Sequence, residues 1–306
     1  MAAHLRTIAP HVNQFLLAGS TGDGWDLDAQ QFNDLLAFAT HRPYWEGDAR
    51  FFIGALARST QDVLRKGEII LRQVGRGQAP GFLGIAVCPP VSPGASQRRI
   101  LEHYHRVITA LDVPLAVYQL PQVTGCTIEP ETFAELAAAH PRIILFKDSS
   151  GTDAVARADA GRSGVIMVRG AEGAYVESLR VAGGYYDGLL VSTANILAYS
   201  LRNVVEMAEA GETEIALRRS RRITRLVSAL FEVMNNCSSG NVYSNVNRAV
   251  DHLLAHGAFR THVEAPLLFD GSRLPGDKLT DAAIVYEAEE GLPERGYFLH
   301  RYIGIE

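Results

Sequence analysis

The chain contains three lysines, Lys66, Lys147 and Lys278, and otherwise meets its need for positive charge with arginine. Arg65-Lys66-Gly67-Glu68 and Gly276-Asp277-Lys278-Leu279 read as solvated positions, whereas Lys147 ends the apolar run Ile143-Ile144-Leu145-Phe146. A lysine closing a buried strand either snorkels toward water or serves as a nucleophile. Partial desolvation lowers the pKa of such an amine, and the neutral fraction can attack a ketone. The resulting iminium is an electron sink that lets a carbon–carbon bond break or a β-hydroxyl leave, provided a nearby group moves protons.

Two further segments carry groups able to assist. Alternate strand residues share a face, so Ile143, Leu145 and Lys147 are expected on one side of their strand and Ala116 and Tyr118 on one side of theirs. If those sides coincide, phenol and amine meet. The turn Gly19-Ser20-Thr21-Gly22-Asp23 places two hydroxyls between glycines, so amides and side chains can approach an anion such as the carboxylate of a 2-oxo acid. Taken singly, such a turn is usually only a turn and a strand tyrosine is usually core. It is their order along the chain that points to chemistry.

The positioning elements follow from apolar runs at Gln14 to Ala18, Phe51 to Leu56, Phe82 to Cys88, Leu115 to Leu120, Ile143 to Phe146, Val165 to Val168 and Leu189 to Val191. Each reads as a buried strand. The intervals carry helical periodicity, as in Ala29 to Thr40, Gln97 to Leu111, Glu131 to His140 and Ala174 to Ala182. Such alternation predicts an α/β fold, an open doubly wound sheet or a closed barrel. No Gly-x-Gly-x-x-Gly follows the first strand, and the chemically able residues cluster after strands, which favours a (β/α)8 TIM barrel. A barrel needs eight strands where seven are visible. Helical segments at Ile196 to Ala210, Glu212 to Val233 and Asn247 to His256 form a C-terminal extension, and Tyr297 to Ile305 reads as a strand. The expected division is 1–195 as barrel, 196–260 as helices packed on it, and 261–306 as a tail. Either the barrel is incomplete or the tail folds back to supply the eighth strand, and the second is favoured because an unclosed barrel exposes two strand edges.

Composition sets outer limits. The 306 residues are 47% hydrophobic with a net charge of −5, which suits one large core. No apolar run reaches the roughly 18 to 20 residues of a membrane span, and Met1-Ala-Ala-His-Leu-Arg lacks a signal-peptide core, so a cytoplasmic protein is expected. Cys88, Cys126 and Cys237 are odd in number and lack metal-ligand spacing. His103 and His105 sit two apart on a helix and share no face. Arg218-Arg219-Ser220-Arg221-Arg222 lies within a helical pattern of an acidic chain and reads as a solvated face rather than a nucleic-acid site. Asn235 to Asn241 reads as a connector.

Several blocks together resemble the superfamily of dihydrodipicolinate synthase and N-acetylneuraminate lyase, the Schiff-base barrel enzymes. Ala18-Gly19-Ser20-Thr21-Gly22-Asp23-Gly24 is similar to that family's Gly-Thr-Thr-Gly-Glu turn. Val117-Tyr118-Gln119-Leu120-Pro121 followed by Thr124-Gly125 resembles its Tyr-Asn-x-Pro-x-x-Thr-Gly. Phe146-Lys147-Asp148-Ser149-Ser150-Gly151 resembles its Lys-Asp-Ser-Ser-Gly, and Gly188 to Asn195 its last-strand Gly-Val-Ile-Ser-Val-Thr-Ala-Asn. The resemblance implies that Lys147 forms the imine, Tyr118 shuttles protons, Ser20 and Thr21 hold the substrate carboxylate with Thr21 in the relay, and Leu190 lines the pocket through its backbone. It further implies a homotetramer or homodimer without metal or organic cofactor, acting on a small 2-oxo acid and on neither nucleic acid nor membrane.

Three departures narrow the expectation. Val123 stands where dihydrodipicolinate synthases carry an arginine for the second substrate, which disfavours that activity. Cys88-Pro89-Pro90-Val91-Ser92 lacks the tyrosine lent across a subunit interface, and Ala95-Ser96-Gln97 looks more like sugar-acid dehydratases. The family's first strand is missing. The sequence therefore points to a lyase for a 2-oxo-3-deoxy sugar acid or related pyruvate-yielding compound. The alternatives are dihydrodipicolinate synthase itself and a non-catalytic oxo-acid-binding relative.

Overall fold

The structure, a computed structural model, describes residues 1–41, 49–75, 79–158 and 164–298. Seven parallel strands form one sheet in sequence order: β1 (Gln14–Leu17), β2 (Arg50–Gly54), β3 (Phe82–Val87), β4 (Leu115–Gln119), β5 (Ile143–Asp148), β6 (Ile166–Arg169) and β7 (Gly188–Leu189). The helices are α1 (Ala2–Ile8), α2 (Ala29–Thr40), α3 (Thr60–Val74), α4 (Gln97–Leu111), α5 (Pro121–Thr124), α6 (Pro130–Ala139), α7 (Ala154–Arg157), α8 (Ala194–Glu209), α9 (Thr213–Met234), α10 (Val242–His256) and α11 (Gly276–Glu289). Two compact units result, one of residues 13–171 with 177–191, the other of residues 1–12, 172–176 and 192–306.

The first unit holds the sheet. One face contributes Phe51, Ile53, Ile85, Val87, Val117, Phe146 and Met167 to a core shared with Leu36 of α2, Ile70 of α3, Tyr104 of α4 and Phe133 of α6. The opposite face contributes Phe52, Ala86, Ala116, Leu145 and Val168, with Leu16, Leu83, Ile144 and Leu190 packed against them, and among the described residues no helix residue joins that cluster. A buried apolar face that no helix covers is covered by the sheet curling on itself, as barrel strands do. Among the described residues no ladder joins β7 to β1.

Local chemistry sets the helix ends. Asp28 accepts from Gln31 N and Gln31 Oε1 accepts from Asp28 N, a capping box that starts α2. Ser59 and Ser96 cap α3 and α4 through the N–H groups of Asp62 and Arg99. Ser96 and Gln97, noted for their likeness to dehydratases, thus have local uses, since Gln97 also bonds Thr127 O and Glu129 N.

Four expectations are corrected here. Residues 174–182 are not an α-helix: Ala174 has φ of +47°, Leu179 bridges Tyr186, and Ser178 O accepts from the N–H groups of Tyr185 and Tyr186, so the segment is turns with one 3-10 turn at Arg180–Ala182. Gly173 and Gly183-Gly184 bracket that segment and favour turns over helix propagation. Ile143 and Leu145 belong to different clusters, and the register shifts between Leu115 and Ala116: Leu115 pairs with Ile143, but Ala116 with Leu145. Ile143 therefore joins the helix-covered core and Leu145 the interior.

In the second unit, α11 occupies a segment expected to be tail, and Lys278 is not solvated but donates to Val233 O and Asn235 O at 2.6 and 3.0 Å, closing the end of α9. Most of the expected strand Tyr297 to Ile305 lies outside the described residues. Its first two residues form a turn whose N–H groups donate to Leu254 O and Ala255 O, while Tyr297 Oη donates to Asp251, which also binds His4 of α1. Glu172 accepts from Thr193 N and Oγ1, placing a carboxylate at the start of α8, where the helix dipole favours it. Arg218 and Arg222 face outward on α9, pairing with Glu214 and Glu289.

Candidate active site

Tyr118 and Lys147 are register partners at the carboxyl ends of β4 and β5. Both turn inward, and Lys147 Nζ lies 4.2 Å from the centroid of the Tyr118 ring. Only 6% of Lys147 and 1% of Tyr118 is exposed. A desolvated cation over a phenol ring gains about 2 kcal/mol, which holds the lysine head at one place in the mouth of the sheet.

Tyr118 belongs to an apolar cluster with Leu56, Cys88 and Leu120, against which Leu16 and Trp25 pack. The Cys88 thiol is pushed well above its ordinary range by burial, opposed by the charge of Lys147, so it is a neutral wall rather than a second nucleophile. Its backbone is held from behind. His103, 2% exposed, places Nε2 3.0 Å from Cys88 O and Nδ1 2.9 Å from Thr60 Oγ1, and burial pushes its pKa down to about 4. His103 is thus a satisfied neutral core histidine.

Trp25 links the cluster to the hydroxyl turn, donating from Nε1 to Ser20 Oγ at 3.0 Å. Ser20 and Thr21 lie in the one-turn helix Ser20–Gly22, both half-buried. Gly24 closes that turn, where a Cβ would lie 1.9 Å from Ala18 O. The turn has a support that the sequence hid. Lys66 of α3 donates to Gly24 O at 3.2 Å and to Leu56 O at 2.8 Å, tying the turn to the segment that follows β2, and burial lowers its pKa. Its expected solvated placement is overturned.

Leu190 packs into the interior cluster below Lys147, and its N–H donates to Arg169 O at 2.8 Å. Only its carbonyl therefore remains as a backbone group for a ligand. Gly170, after β6, was not anticipated: a Cβ there would stand 2.7 Å from Lys147 Cε and 2.2 Å from Ser149 Oγ. The lysine stem thus packs directly against Gly170, and a side chain there would have to displace it.

On the other face of the same rungs runs a buried polar row, Gln119, Asp148 and Arg169, paired strand to strand. Arg169 Nη1 donates to both Asp153 oxygens at 2.7 and 2.8 Å, and Tyr186 Oη lies 2.8 Å from Asp153 Oδ1 and 3.2 Å from Asp148 Oδ2. The strand loops around the mouth are knit by the N–H groups of Val91, Ser92 and Gly94, which donate to Arg58 O, Thr124 O and Gly125 O. Val123 on α5 is 40% exposed and aliphatic. Among the described residues no three His, Cys, Asp or Glu side chains gather as metal ligands, and no helix is long and apolar enough to cross a membrane.

Known proteins share this fold and parts of this sequence. A 4-hydroxy-tetrahydrodipicolinate synthase of Stenotrophomonas maltophilia is 31% identical over 205 residues, a match spanning 66% of this chain but only 65% of that enzyme's length. Among solved structures, YagE, an Escherichia coli prophage protein of the dihydrodipicolinic acid synthase family in complex with pyruvate, superposes with a TM-score of 0.75 at 17% identity, covering 95% of this chain and 91% of that one. CdNal of Clostridium difficile, in complex with mannosamine, gives 0.74 at 16% identity, covering 94% and 93%. Residues 6–250 match the sequence pattern of the dihydrodipicolinate synthetase family, and the chain belongs to that family.

Proposed function

We propose that the protein is a class I lyase in which Lys147 forms a Schiff base with a 2-oxo acid. The observation that carries this reading is the Lys147 amine seated over the Tyr118 ring at the carboxyl ends of adjacent strands, where barrel enzymes build their sites. The neutral amine attacks the ketone carbon and water leaves. The iminium then accepts either the electron pair of a cleaving carbon–carbon bond, as the β-hydroxyl loses its proton, or the pair of the adjacent C–H bond, as its proton is removed. In the second case the enamine so formed expels the β-hydroxyl as water once it is protonated. Tyr118 carries the proton between the carbinolamine and the departing oxygen, with Thr21 extending that relay. Ser20, whose Oγ accepts from Trp25, and Thr21 bind the substrate carboxylate, and the Leu190 carbonyl borders the same pocket.

The substrate half of the reading is a 2-oxo-3-deoxy sugar acid or a related pyruvate-yielding compound. Val123 supplies no cation for a second carboxylate, while pyruvate and an amino sugar occupy structural relatives of the same fold. The 31% identity to a 4-hydroxy-tetrahydrodipicolinate synthase favours a second reading, condensation of pyruvate with aspartate semialdehyde. A homo-oligomer without metal or organic cofactor completes the proposal.

The decisive experiment is borohydride reduction in the presence of pyruvate, followed by intact mass and peptide mapping. A reduced pyruvyl adduct on Lys147 is expected. No adduct, with a control aldolase labelled in parallel, would leave a non-catalytic binding protein instead. Turnover of 2-oxo-3-deoxy acids against aspartate semialdehyde then separates the two enzyme readings.

A further inference from the structure

Asp148 follows the candidate nucleophile on β5 and is fully buried on the opposite face. The titratable and charged groups around it are Lys147 on its own strand, Arg169 on β6, Asp153 before α7 and Tyr186 before β7. Arg169 gives Nη1 to both oxygens of Asp153, and no bond from its guanidinium reaches Asp148. Its Nε is buried without a partner among the described residues. Asp148 Oδ1 accepts from Ser150 N at 2.8 Å.

The remaining oxygen, Asp148 Oδ2, faces Tyr186 Oη, and that phenol has one proton for two carboxylate oxygens. The shorter contact, 2.8 Å against 3.2 Å, gives the phenol proton to Asp153, the carboxylate already paired with Arg169. Were Asp148 ionised, its oxygen would face a lone pair of Tyr186 in a dry interior, with no bonded cation. Were Asp148 protonated, its O–H would donate to Tyr186 Oη and a complete chain would run from Asp148 through Tyr186 to Asp153.

We propose that Asp148 is a neutral carboxylic acid and a positioning residue, its proton donated to Tyr186, so that Lys147 stands beside a buried network of zero net charge. The charges then close: Asp148 and Tyr186 are neutral, and Asp153 cancels Arg169. Burial, aided by the charge of Asp153, raises the carboxyl above its ordinary value despite the opposing bonds from the Ser150 side chain, the Ser150 backbone and Tyr186, and burial also keeps the Tyr186 phenol protonated. The consequence falls on the neighbouring amine, because an anion at 148 would favour the ammonium form of Lys147 and reduce the neutral fraction able to attack. This consequence rests on the Schiff-base reading, whereas the protonation of Asp148 does not.

Infrared difference spectroscopy tests it on the whole protein. At pH 8 the wild type is expected to show the carbonyl stretch of an un-ionised carboxylic acid, to shift it in D2O, and to lose it in Asp148→Asn. Absence of the band, or its persistence in that variant, overturns the proposal. If Asp148→Asn does not fold, Tyr186→Phe assigns the band instead: removing the acceptor of the acid proton must raise its frequency, and an unmoved band counts against the chain.

The second readout is the pH dependence of borohydride trapping with pyruvate. Asparagine replaces one neutral group by another, so the midpoint is expected within about 0.3 pH unit of wild type. A displacement of one unit, a tenfold change in neutral amine, would mean that the native side chain is charged. Should wild type give no adduct at all, the Schiff-base reading fails while the infrared band still decides the state of Asp148.

Discussion

The two faces of the sheet at the level of Lys147 are built from the same rungs and solve opposite problems. On the inner face, Tyr118 and Lys147 meet among Leu56, Cys88 and Leu120, with the amine resting on a ring. On the outer face, Gln119, Asp148 and Arg169 are as deeply buried but are engaged by Ile128 N, Tyr186 and Asp153. A buried polar group costs stability unless it is bonded. The outer row bonds Gln119 Oε1, Asp148 and Arg169 Nη1 to the chain's own groups and leaves Gln119 Nε2 and Arg169 Nε without a partner among the described residues, while the inner row places an amine where it can bond to carbon. The contrast separates residues that hold the site from residues that act in it.

The strongest way to break that contrast is at Lys147. Lys147→Arg keeps a cation over the Tyr118 ring but cannot supply a neutral amine. Complete loss of the borohydride-trapped adduct is expected with the thermal midpoint within a few degrees of wild type, measured by mass spectrometry and calorimetry. An adduct that survives would move the nucleophile elsewhere.

Gly170→Ala comes next in size and separates positioning from folding. The new methyl would press on the flexible ends of Ser149 and Lys147, both of which can yield. Stability should change little, while the amine is displaced from its seat. A misplacement on the order of 1 Å can lower a rate by about 100-fold, so trapping should slow by roughly ten- to a hundredfold. Stopped reactions at short times would measure it, and an unchanged rate would show that the lysine stem has more freedom than its contacts suggest.

The inner row was legible because its signals are local. Lys147 ends its own apolar run, Tyr118 alternates with Ala116, and capping by Asp28 and Ser96 makes α2 and α4 begin where the periodicity begins. What stayed hidden depends on distant neighbours. Lys66 sits between polar residues, yet its carbonyl partners lie 10 and 42 positions away. The register shift that parts Ile143 from Leu145 is a property of two strands together. Residues 174–182 carry a helical pattern that the Leu179 to Tyr186 bridge overrides, and α11 buries only Ala282 and Tyr286, too few positions to announce a helix. Gly170 has no side chain to attract notice, and its meaning is the space taken by Lys147.

Acid should act on the support before it acts on the nucleophile. His103 is neutral and buried against Cys88 O and Thr60, with its pKa lowered from 6.5 to about 4. Between those values the unfolded chain binds the proton and the folded chain does not, so stability rises with pH across this window. The contribution is complete above pH 6.5 and is lost as pH falls toward 4, amounting to about 3 kcal/mol. Urea titrations at pH 7 and pH 4.5 would measure the loss, and His103→Gln should flatten that part of the slope. An equal slope in the variant would assign acid sensitivity to other groups.

The smallest effect belongs to Lys66, and it decides whether the hydroxyl turn is held or merely adjacent. Its ammonium bonds Gly24 O and Leu56 O, joining the turn that carries Ser20 and Thr21 to the wall beside Tyr118. Lys66→Met keeps an apolar stem of similar length and removes both donors together with the ammonium that stands over the Phe32 ring. Hydrogen bonds from a charged group contribute about 1.5 to 3 kcal/mol when well made, and half-burial of this one places the expected loss near the lower figure. The informative readout is the split between binding and chemistry. If the turn holds the substrate carboxylate, the apparent affinity for pyruvate in the trapping reaction should fall several-fold while the saturated trapping rate stays near wild type. A fall confined to the saturated rate would instead tie Lys66 to the position of the amine, and would erase the distinction between the residues that hold the substrate and those that hold the nucleophile.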